Sequence, residues 1–360
     1  MLKKIIIYIN ILFAILLVIS GLAKYFNPIE FWISAFFGIA YPFLLLINIF
    51  FFLFMLIFSS KKRKSLISVI AIVITWSSFS SIANISAPVR TVKEISILTW
   101  NVKNFDLYNW SNNTETHNLM MSLLKEKDPD VLCLQEFYTE KKGKFKNIKE
   151  LKKILGYKYY YFGETFNIKN KKKWGLITFS KFPIKNEGQI KFDKGSRLNS
   201  CIYTDIEFAK DSIFRVYNIH LQSLHFGDED YDYLKKLKEE QKPDVESTLT
   251  IFRKLKLAFS KRAKQVQIIA KHVKDYSGKS ILCGDFNDTP TSYAYNILSQ
   301  NKNDAFKEKG LGFGKTLVNP SPFFRIDFVF MDKVFKINSY KKYKKEYSDH
   351  YPVQVYFEYK

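Results

Sequence analysis

ILCGDFNDTP, residues 281–290, is the stretch on which the reading of this chain turns. Ile281, Leu282 and Cys283 have the apolar continuity of a buried strand end. Gly284 permits a tight turn, and Pro290 bars a strand from continuing. Between them lie Asp285 and Asn287, two apart, with Phe286 in the middle. On an extended segment residues i and i+2 share a face, so the carboxylate and the amide are expected to project together while Phe286 packs the other way. Such a strand end delivers an acid and an amide into one cleft, where they can hold a water and a charged oxygen. An ordinary Asp/Asn/Pro turn would look the same in isolation. Comparable strand ends elsewhere in the chain separate the two readings.

Working outward, ILTWN ends in Asn101, VLCLQE ends in Glu136, and VYNIHLQS carries Asn218 and His220, again an i, i+2 pair. FRIDFVF places Asp327, two after Arg325, within an apolar run, and YSDHYPV sets Asp349 and His350 before the last apolar run. Taken singly these are a strand end facing water, a turn asparagine, a surface histidine. Asp327 resists that treatment, because an acid inside an apolar strand is costly unless paired. Together the set has the content of metal-dependent phosphodiester hydrolysis. A hard divalent cation takes one or two carboxylates and keeps its waters, and Glu136 with Asp349 or Asn101 supplies them. The attacking water needs a base, and the leaving oxygen needs a proton or neutralised charge; Asp285, His220 and His350 are available. Asp327 is the candidate to orient His350, and Asn287 offers a neutral donor to phosphoryl oxygens.

The chain of 360 residues splits by composition. Residues 5–22, 31–58 and 66–87 are uncharged and apolar; the first is ~27 Å long as a helix, close to a bilayer core. They predict a membrane anchor of three transmembrane helices within residues 1–90. Lys3 and Lys4 precede the first span, and Lys61, Lys62, Arg63 and Lys64 fill the loop before the third. The positive-inside bias puts both in the cytoplasm, so three spans leave residues 91–360 outside the cytoplasmic membrane, with Pro88 at the boundary. Beyond it, short apolar runs at 95–100, 131–135, 175–179, 201–206, 213–219, 281–283, 326–331 and 353–357 predict strands. Helical spacing predicts helices at 116–127, 146–155 and 247–275. More strands than helices without regular alternation favours stacked sheets flanked by helices.

Charge and cysteine content exclude little. The first 90 residues hold eight Lys/Arg and one acid, hence +7 of the formal +22, leaving +15 for the remainder. A Lys/Ile/Asn/Phe/Tyr-rich composition follows from an AT-rich genome without selection for binding, so the charge supports a polyanionic partner only in general terms. Cys133, Cys201 and Cys283 sit in separate apolar runs, which suggests core thiols rather than a disulfide framework or a zinc site.

NVK after a strand, LQE, SKFPI, NIHLQS, GDFNDTP, RIDFVF and SDHYPV, in that order from about Ile95 to Phe357, resemble the endonuclease/exonuclease/phosphatase, or DNase-I-like, superfamily. The resemblance implies a four-layer α/β sandwich. It implies Glu136 as a ligand of Mg²⁺ (or Mn²⁺), with Asn101 and Asp349 nearby. Asp285 and Asn287 would align the water and bind phosphate; His220 and His350 would act as the acid/base pair, with Asp327 orienting His350. Asn218 and Arg325 fall to substrate binding. The His of NIHLQS is similar to the DNase, sphingomyelinase and inositol-phosphatase branches, and Lys103 stands where the abasic-site repair branch has an acid.

The expectation is therefore a membrane-anchored phosphoesterase, with nucleic acid favoured over phospholipid. The preference rests on Lys-rich runs at 141–153 and 169–173 interleaved with Tyr159, Tyr160, Tyr161 and Trp174. A phospholipase C-type or inositol-phosphate phosphatase activity is the alternative, and a non-catalytic membrane-anchored binding protein is the reading from a different class. Loss of Glu136, Asp285 or His350 would have favoured that last reading, and all three are present.

Overall fold

The computed structural model describes residues 2–59, 62–86, 94–192, 199–210, 212–223, 245–318 and 323–359. In chain order its helices are α1 (Leu2–Leu22), α2 (Ile33–Phe58), α3 (Leu66–Ile74), α4 (Trp76–Ile82), α5 (Thr116–Lys127), α6 (Asn147–Leu155), α7 (Val245–Asp275), α8 (Tyr293–Leu298) and α9 (Ala305–Lys309). The strands up to the long helix α7 are β1 (Ala83–Ile85), β2 (Ile95–Asn101), β3 (Val131–Glu140), β4 (Tyr159–Ile168), β5 (Lys172–Ser180), β6 (Ile184–Lys191), β7 (Ser200–Ala209) and β8 (Ser212–His220). After it come β9 (Lys279–Asp285), β10 (Lys302–Asp304), β11 (Leu311–Phe313), β12 (Asp327–Asp332), β13 (Phe335–Lys342) and β14 (Val353–Tyr359). Pro88 and residues 224–244 lie outside the described residues.

The chain packs as two units. One comprises residues 1–78, 222–268 and 291–296; the other comprises 79–221, 269–290 and 297–360. In the first, α1 and α2 are long and apolar enough to cross a bilayer. They run antiparallel: Ser20 Oγ donates to the Phe37 carbonyl (2.7 Å) and Asn48 Nδ2 to that of Phe13 (3.0 Å). Their side-chain distribution is inverted. Asn10, Ser20, Asn48 and Ser68 are buried, with Ser68 Oγ donating to Asn10 Oδ1 (2.7 Å), whereas Leu12 and Phe50 are 53% and 61% exposed. Most inward polar groups find partners, although Asn10 Nδ2 and Asn48 Oδ1 have none among the described residues, and apolar groups face outward, a distribution that suits hydrocarbon surroundings.

The third expected span, 66–87, is not one helix. It breaks at Thr75 into α3 and α4, bent by 73°. Thr75 Oγ1 donates to the Ala71 carbonyl (2.9 Å) and accepts from Tyr41 Oη (3.0 Å). This local bonding competes with the helical ladder, and the serines that follow give it little reason to resume straight. Among the described residues, two helices are thus long enough to cross, or three if the bent pair is one span.

The second unit is built on two six-stranded sheets, β13-β14-β2-β3-β5-β4 and β10-β12-β9-β8-β7-β6. The β2–β3 and β8–β9 pairs are parallel, and all others antiparallel. Strand alternation sorts the apolar residues. Ile97, Val131 and Cys133 meet Val216, Ile281 and Cys283 between the sheets, while Leu98, Leu132 and Leu134 pack outward on Met120, Leu124 and Leu151 of α5 and α6. On the far face Tyr203 and Tyr217 lie against His272 of α7. This is the expected four-layer sandwich. Every expected run is a strand, yet β1 and β11, which pair with each other, and β4, β6, β10 and β13 were not foreseen. The last four are the edge strands of the two large sheets, where one side of the ladder is open.

Candidate active site

Register lines up half of the site in one row. His220 at the end of β8 is the partner of Asp285 at the end of β9, and Asp285 is the partner of Asp327 at the start of β12. The three side chains cross adjacent strands side by side, all buried; Asp285 is 1% exposed. Gly284 makes the approach possible. Its φ is +136°, and a Cβ there would stand 2.0 Å from the Ile219 carbonyl oxygen. Asn287 does not share an extended face with Asp285, as the sequence pattern implied. The strand stops at Asp285 and Asn287 adopts a left-handed φ of +52°, which folds its amide back. Its backbone N–H donates to Asp285 Oδ1 (2.8 Å) and its Nδ2 to Asp285 Oδ2 (3.1 Å).

The facing sheet supplies the rest. Asn101 ends β2, and its Nδ2 donates to Asp285 Oδ2 (3.0 Å) and to Glu136 Oε1 (3.0 Å). Glu136 is reached through a bulge: the β3–β5 register shifts between Leu134 and Phe137, and Glu136 takes a φ of +47°. His350 enters from the segment before β14. Its Nδ1 faces Asp327 Oδ2 at 2.9 Å and its Nε2 lies 3.7 Å from Asp285 Oδ2. Trp100 Nε1 donates to the His350 carbonyl (2.8 Å), and Ser348 Oγ donates to the Asn101 carbonyl (2.8 Å), tying this segment to β2. Neither Trp100 nor Ser348 was picked out from sequence, because Trp100 reads as one more apolar strand residue and Ser348 as a turn serine.

Residues 98–350 match the model of the Endonuclease/Exonuclease/phosphatase family. The chain belongs to this family. Residues 3–82 match a domain of unknown function. An endonuclease/exonuclease/phosphatase from Beutenbergia cavernae is 17% identical over 74% of this chain and 72% of its own, with a TM-score of 0.54. One from Bacteroides vulgatus is 17% identical over 75% of this chain and all of its own, also at 0.54. A mannosyl-6-phosphatase from Bacteroides thetaiotaomicron is 17% identical over 74% and 100%, at 0.50. At this identity the likeness establishes the fold. No curated protein matches the chain. Membership of the endonuclease/exonuclease/phosphatase family makes it a hydrolase of the phosphatase/nuclease type.

The electrostatics of this family member's site favour shared protons. Burial opposes charge on His350, but Asp327 and Asp285 outweigh it and hold its pKa well above the usual histidine value. Burial raises the Asp285 carboxyl and Asp327 adds to it, against the pull of His350, His220 and the Asn101 amide. Burial also works on Asp349, yet His350 and Lys103 prevail and keep its carboxyl low. Both ring nitrogens of His220 are buried without a hydrogen-bond partner among the described residues; Nε2 lies 3.6 Å from Glu136 Oε1 and 3.7 Å from Asp285 Oδ2, between the two carboxylates.

Family enzymes generally use divalent metals, and the donors here suit one. Glu136 presents a partly exposed carboxylate; Asn101 turns its Nδ2 toward it while its Oδ1 accepts from the Lys103 N–H (3.0 Å), so the oxygens at hand are those of Glu136 and Asp349. These are all hard donors. Asp349 is spoken for in part, since Lys103 Nζ stands 3.0 Å from its Oδ2. Asp285, Asp327 and His350 also cluster, with one donor atom of each within 4.8 Å of the others, and the His350–Asp327 bond lies within that trio.

Two residues assigned to substrate are elsewhere. Arg325 is buried in a two-pronged ion pair, Nη1 to Asp304 Oδ1 (2.9 Å) and Nη2 to Oδ2 (2.6 Å), and also donates to the Ser81 carbonyl (2.8 Å). Asn218 lies between the sheets, donating to the Leu134 and Ile177 carbonyls and accepting from Gln135 Nε2 (2.7 Å). Both are structural: their polar groups are consumed by protein partners. The i, i+2 pattern that placed Asn218 beside His220 was right about the shared face, but only His220 reaches the strand's end.

The two Lys-rich runs meet. Lys141, Lys146, Lys149, Lys152, Lys171 and Lys173 are among the residues lining one cavity of about 780 Å³, with Tyr157, Tyr160 and Phe162. Tyr160 is exposed, with Lys152 Nζ 5.2 Å from its ring centre. Trp174 is not available for stacking on a ligand, being buried against Tyr138 and Phe166.

Proposed function

We propose that this chain is a divalent-metal-dependent phosphodiester hydrolase, in which residues 1–90 form the anchor and 91–360 the catalytic domain. The observation that carries it is the row His220–Asp285–Asp327 completed by His350. Asp285, with its raised pKa, accepts the proton of the attacking water, which Asn287 and Asn101 help to orient through their bonds to that carboxylate. His350, charged and fixed by Asp327, stands beside the phosphoryl oxygens as negative charge builds, and His220 offers an unengaged ring nitrogen to the same phosphate. Glu136, with Asn101 and Asp349, would hold Mg²⁺ or Mn²⁺, which supplies Lewis-acid polarisation of the phosphate.

Nucleic acid is the preferred substrate. The lysine-lined cavity with an exposed tyrosine suits a phosphate backbone and an unpaired base. The second reading is a phospholipid head group, favoured by an anchor that would keep the catalytic domain beside lipid. Full-length protein in detergent, given single-stranded DNA, RNA, sphingomyelin and phosphoinositide with Mg²⁺, separates the two. Cutting of polynucleotide at a subsaturating rate that falls steeply with salt supports the first; release of phosphocholine or inositol phosphate with polynucleotide intact overturns it.

The catalytic domain is assigned to the extracytoplasmic side. Support comes from the first unit, where Thr75 and Ser78 pack on Tyr41 and Gly21, at the end of the bundle away from Lys62–Lys64. If the bent pair is one span, the crossings are odd in number. An alkaline phosphatase fused to the carboxyl terminus should be active, and an inactive fusion alongside an active cytoplasmic reporter would reverse the assignment.

A further inference from the structure

The first half of α7 bears apolar side chains that its own unit leaves uncovered. Val245, Leu249 and Phe252 are exposed and fall at i, i+4 and i+7, a single stripe. Lys256 continues the stripe one turn on, with Arg253 and Lys264 exposed beside it. From Val245 to Ile268 the one acid is Glu246, against Arg253, Lys254, Lys256, Lys261, Arg262 and Lys264. Further along the helix Ala258, Phe259, Arg262 and Val266 are buried, and Phe259, seven residues after Phe252, carries the stripe into the packed half. A basic helix whose first half leaves an apolar stripe exposed has the composition of one that lies on a membrane.

Its depth along α2 is set by ring contacts within the same unit. Phe36 meets Phe252 at a centroid distance of 5.1 Å and Phe259 at 5.3 Å, and Lys256 Nζ stands 4.9 Å over the ring of Trp32. Trp32 caps α2 and Phe36 lies in its first turn. An aromatic residue at the end of an apolar span marks the boundary between acyl chains and water. Phe252 and Lys256 therefore stand at that boundary wherever α2 crosses a bilayer. One further contact holds the same level: Thr291 Oγ1 donates to the Gly38 carbonyl (2.7 Å), and a Cβ on Gly38 would approach the Thr291 carbonyl oxygen to 2.8 Å.

We infer that the first half of α7 lies in the plane of the bilayer interface, with Val245, Leu249 and Phe252 among the upper acyl chains and Arg253 and Lys256 on anionic lipid phosphates. The inference rests on α1 and α2 spanning the bilayer and is independent of the substrate. Charge selects the occupant: an apolar stripe edged by cations, continuous with the apolar exterior of α2, complements anionic lipid.

The test uses the full-length chain with Leu249→Cys carrying a fluorophore; the native Cys133, Cys201 and Cys283 are buried and do not compete for label. In vesicles of phosphatidylcholine and phosphatidylglycerol, with no other protein, a nitroxide high on the acyl chain should remove most of the emission, and aqueous iodide should have little effect. Ready quenching by iodide with none by the lipid nitroxide overturns the inference and leaves the face to a partner protein. The same label at Phe50→Cys, read against a nitroxide deep in the chain, reports the spans. Quenching at 50 without quenching at 249 defeats the α7 assignment alone; quenching at neither defeats the spans as well. Arg253→Gln with Lys256→Gln should lower quenching at 249 in mixed vesicles to the level found in pure phosphatidylcholine. Quenching that ignores phosphatidylglycerol in both proteins would remove the anionic lipid from the proposal.

Discussion

The two units bury opposite things. In the first, Asn10, Asn48 and Ser68 are inside and Leu12 and Phe50 outside; in the second, Val131, Val216 and Ile281 are inside, and the buried ionisable groups are few and grouped. The difference teaches that burial of a polar residue has no fixed meaning. Where the surroundings are hydrocarbon, an inward asparagine has found the only available partners, and its bond to a neighbouring helix is modest glue. Where the surroundings are water, a buried carboxylate has given up good solvation and persists only because it is paired or because function needs it. Asp304 with Arg325 and Asp205 with Arg215 are paired cases, and Asp285 with Asp327 and His350 the other kind.

The comparison can be broken in four places. The largest effect is expected from metal removal: a chelator should abolish hydrolysis, and Mg²⁺ or Mn²⁺ should restore it. Hydrolysis unchanged by exhaustive chelation would remove Glu136, Asn101 and Asp349 from a metal role. Next is Arg325→Met, which strands the Asp304 carboxylate in the core and should cost about 3–5 kcal/mol in denaturant unfolding, while the folded fraction keeps its kcat. A variant of normal stability that binds substrate poorly would return Arg325 to the site.

Asp285→Asn should lower the rate at least about a hundredfold, roughly 2.7 kcal/mol of barrier, with an unfolding midpoint no lower than that of the natural chain. The stability half of that expectation carries the contrast, because a buried carboxylate kept for chemistry is not kept for folding. Full activity in this variant would dismiss the 281–290 stretch as the catalytic centre. The smallest effect belongs to the first unit. Asn48→Leu removes the bond to the Phe13 carbonyl and should destabilise the bundle in detergent by only about 0.6 kcal/mol. A loss of several kcal/mol would mean that its interior behaves like that of the second unit.

Much of the candidate site was readable because several of its residues end an apolar run. Strand ends that carry Asn101, Glu136, His220 and Asp285 announce themselves by contrast with what precedes them. Edge strands β4, β6, β10 and β13 make no such contrast and were missed, since a strand with one open side tolerates Lys, Asn and Glu. The bend at Thr75 was invisible for a related reason: apolar composition alone gives the length of an apolar segment but not its direction.

What the sequence determined by itself is the order of chemical groups and the elements that carry them, because hydrophobic period and strand-end chemistry are local. What only the tertiary structure decided is which groups meet. His220, Asp285 and Asp327 come from three separate parts of the chain and share a row because β8, β9 and β12 pair in that register. Glu136 turns toward them because a bulge shifts β3 by one residue. Asn218 and Arg325 had the right types and sequence neighbours for the site, and were claimed instead by Gln135 and Asp304. Pairing across a sheet is non-local, so a side chain's partner depends on strands distant in the chain; that information is held by the fold and not by any stretch of sequence.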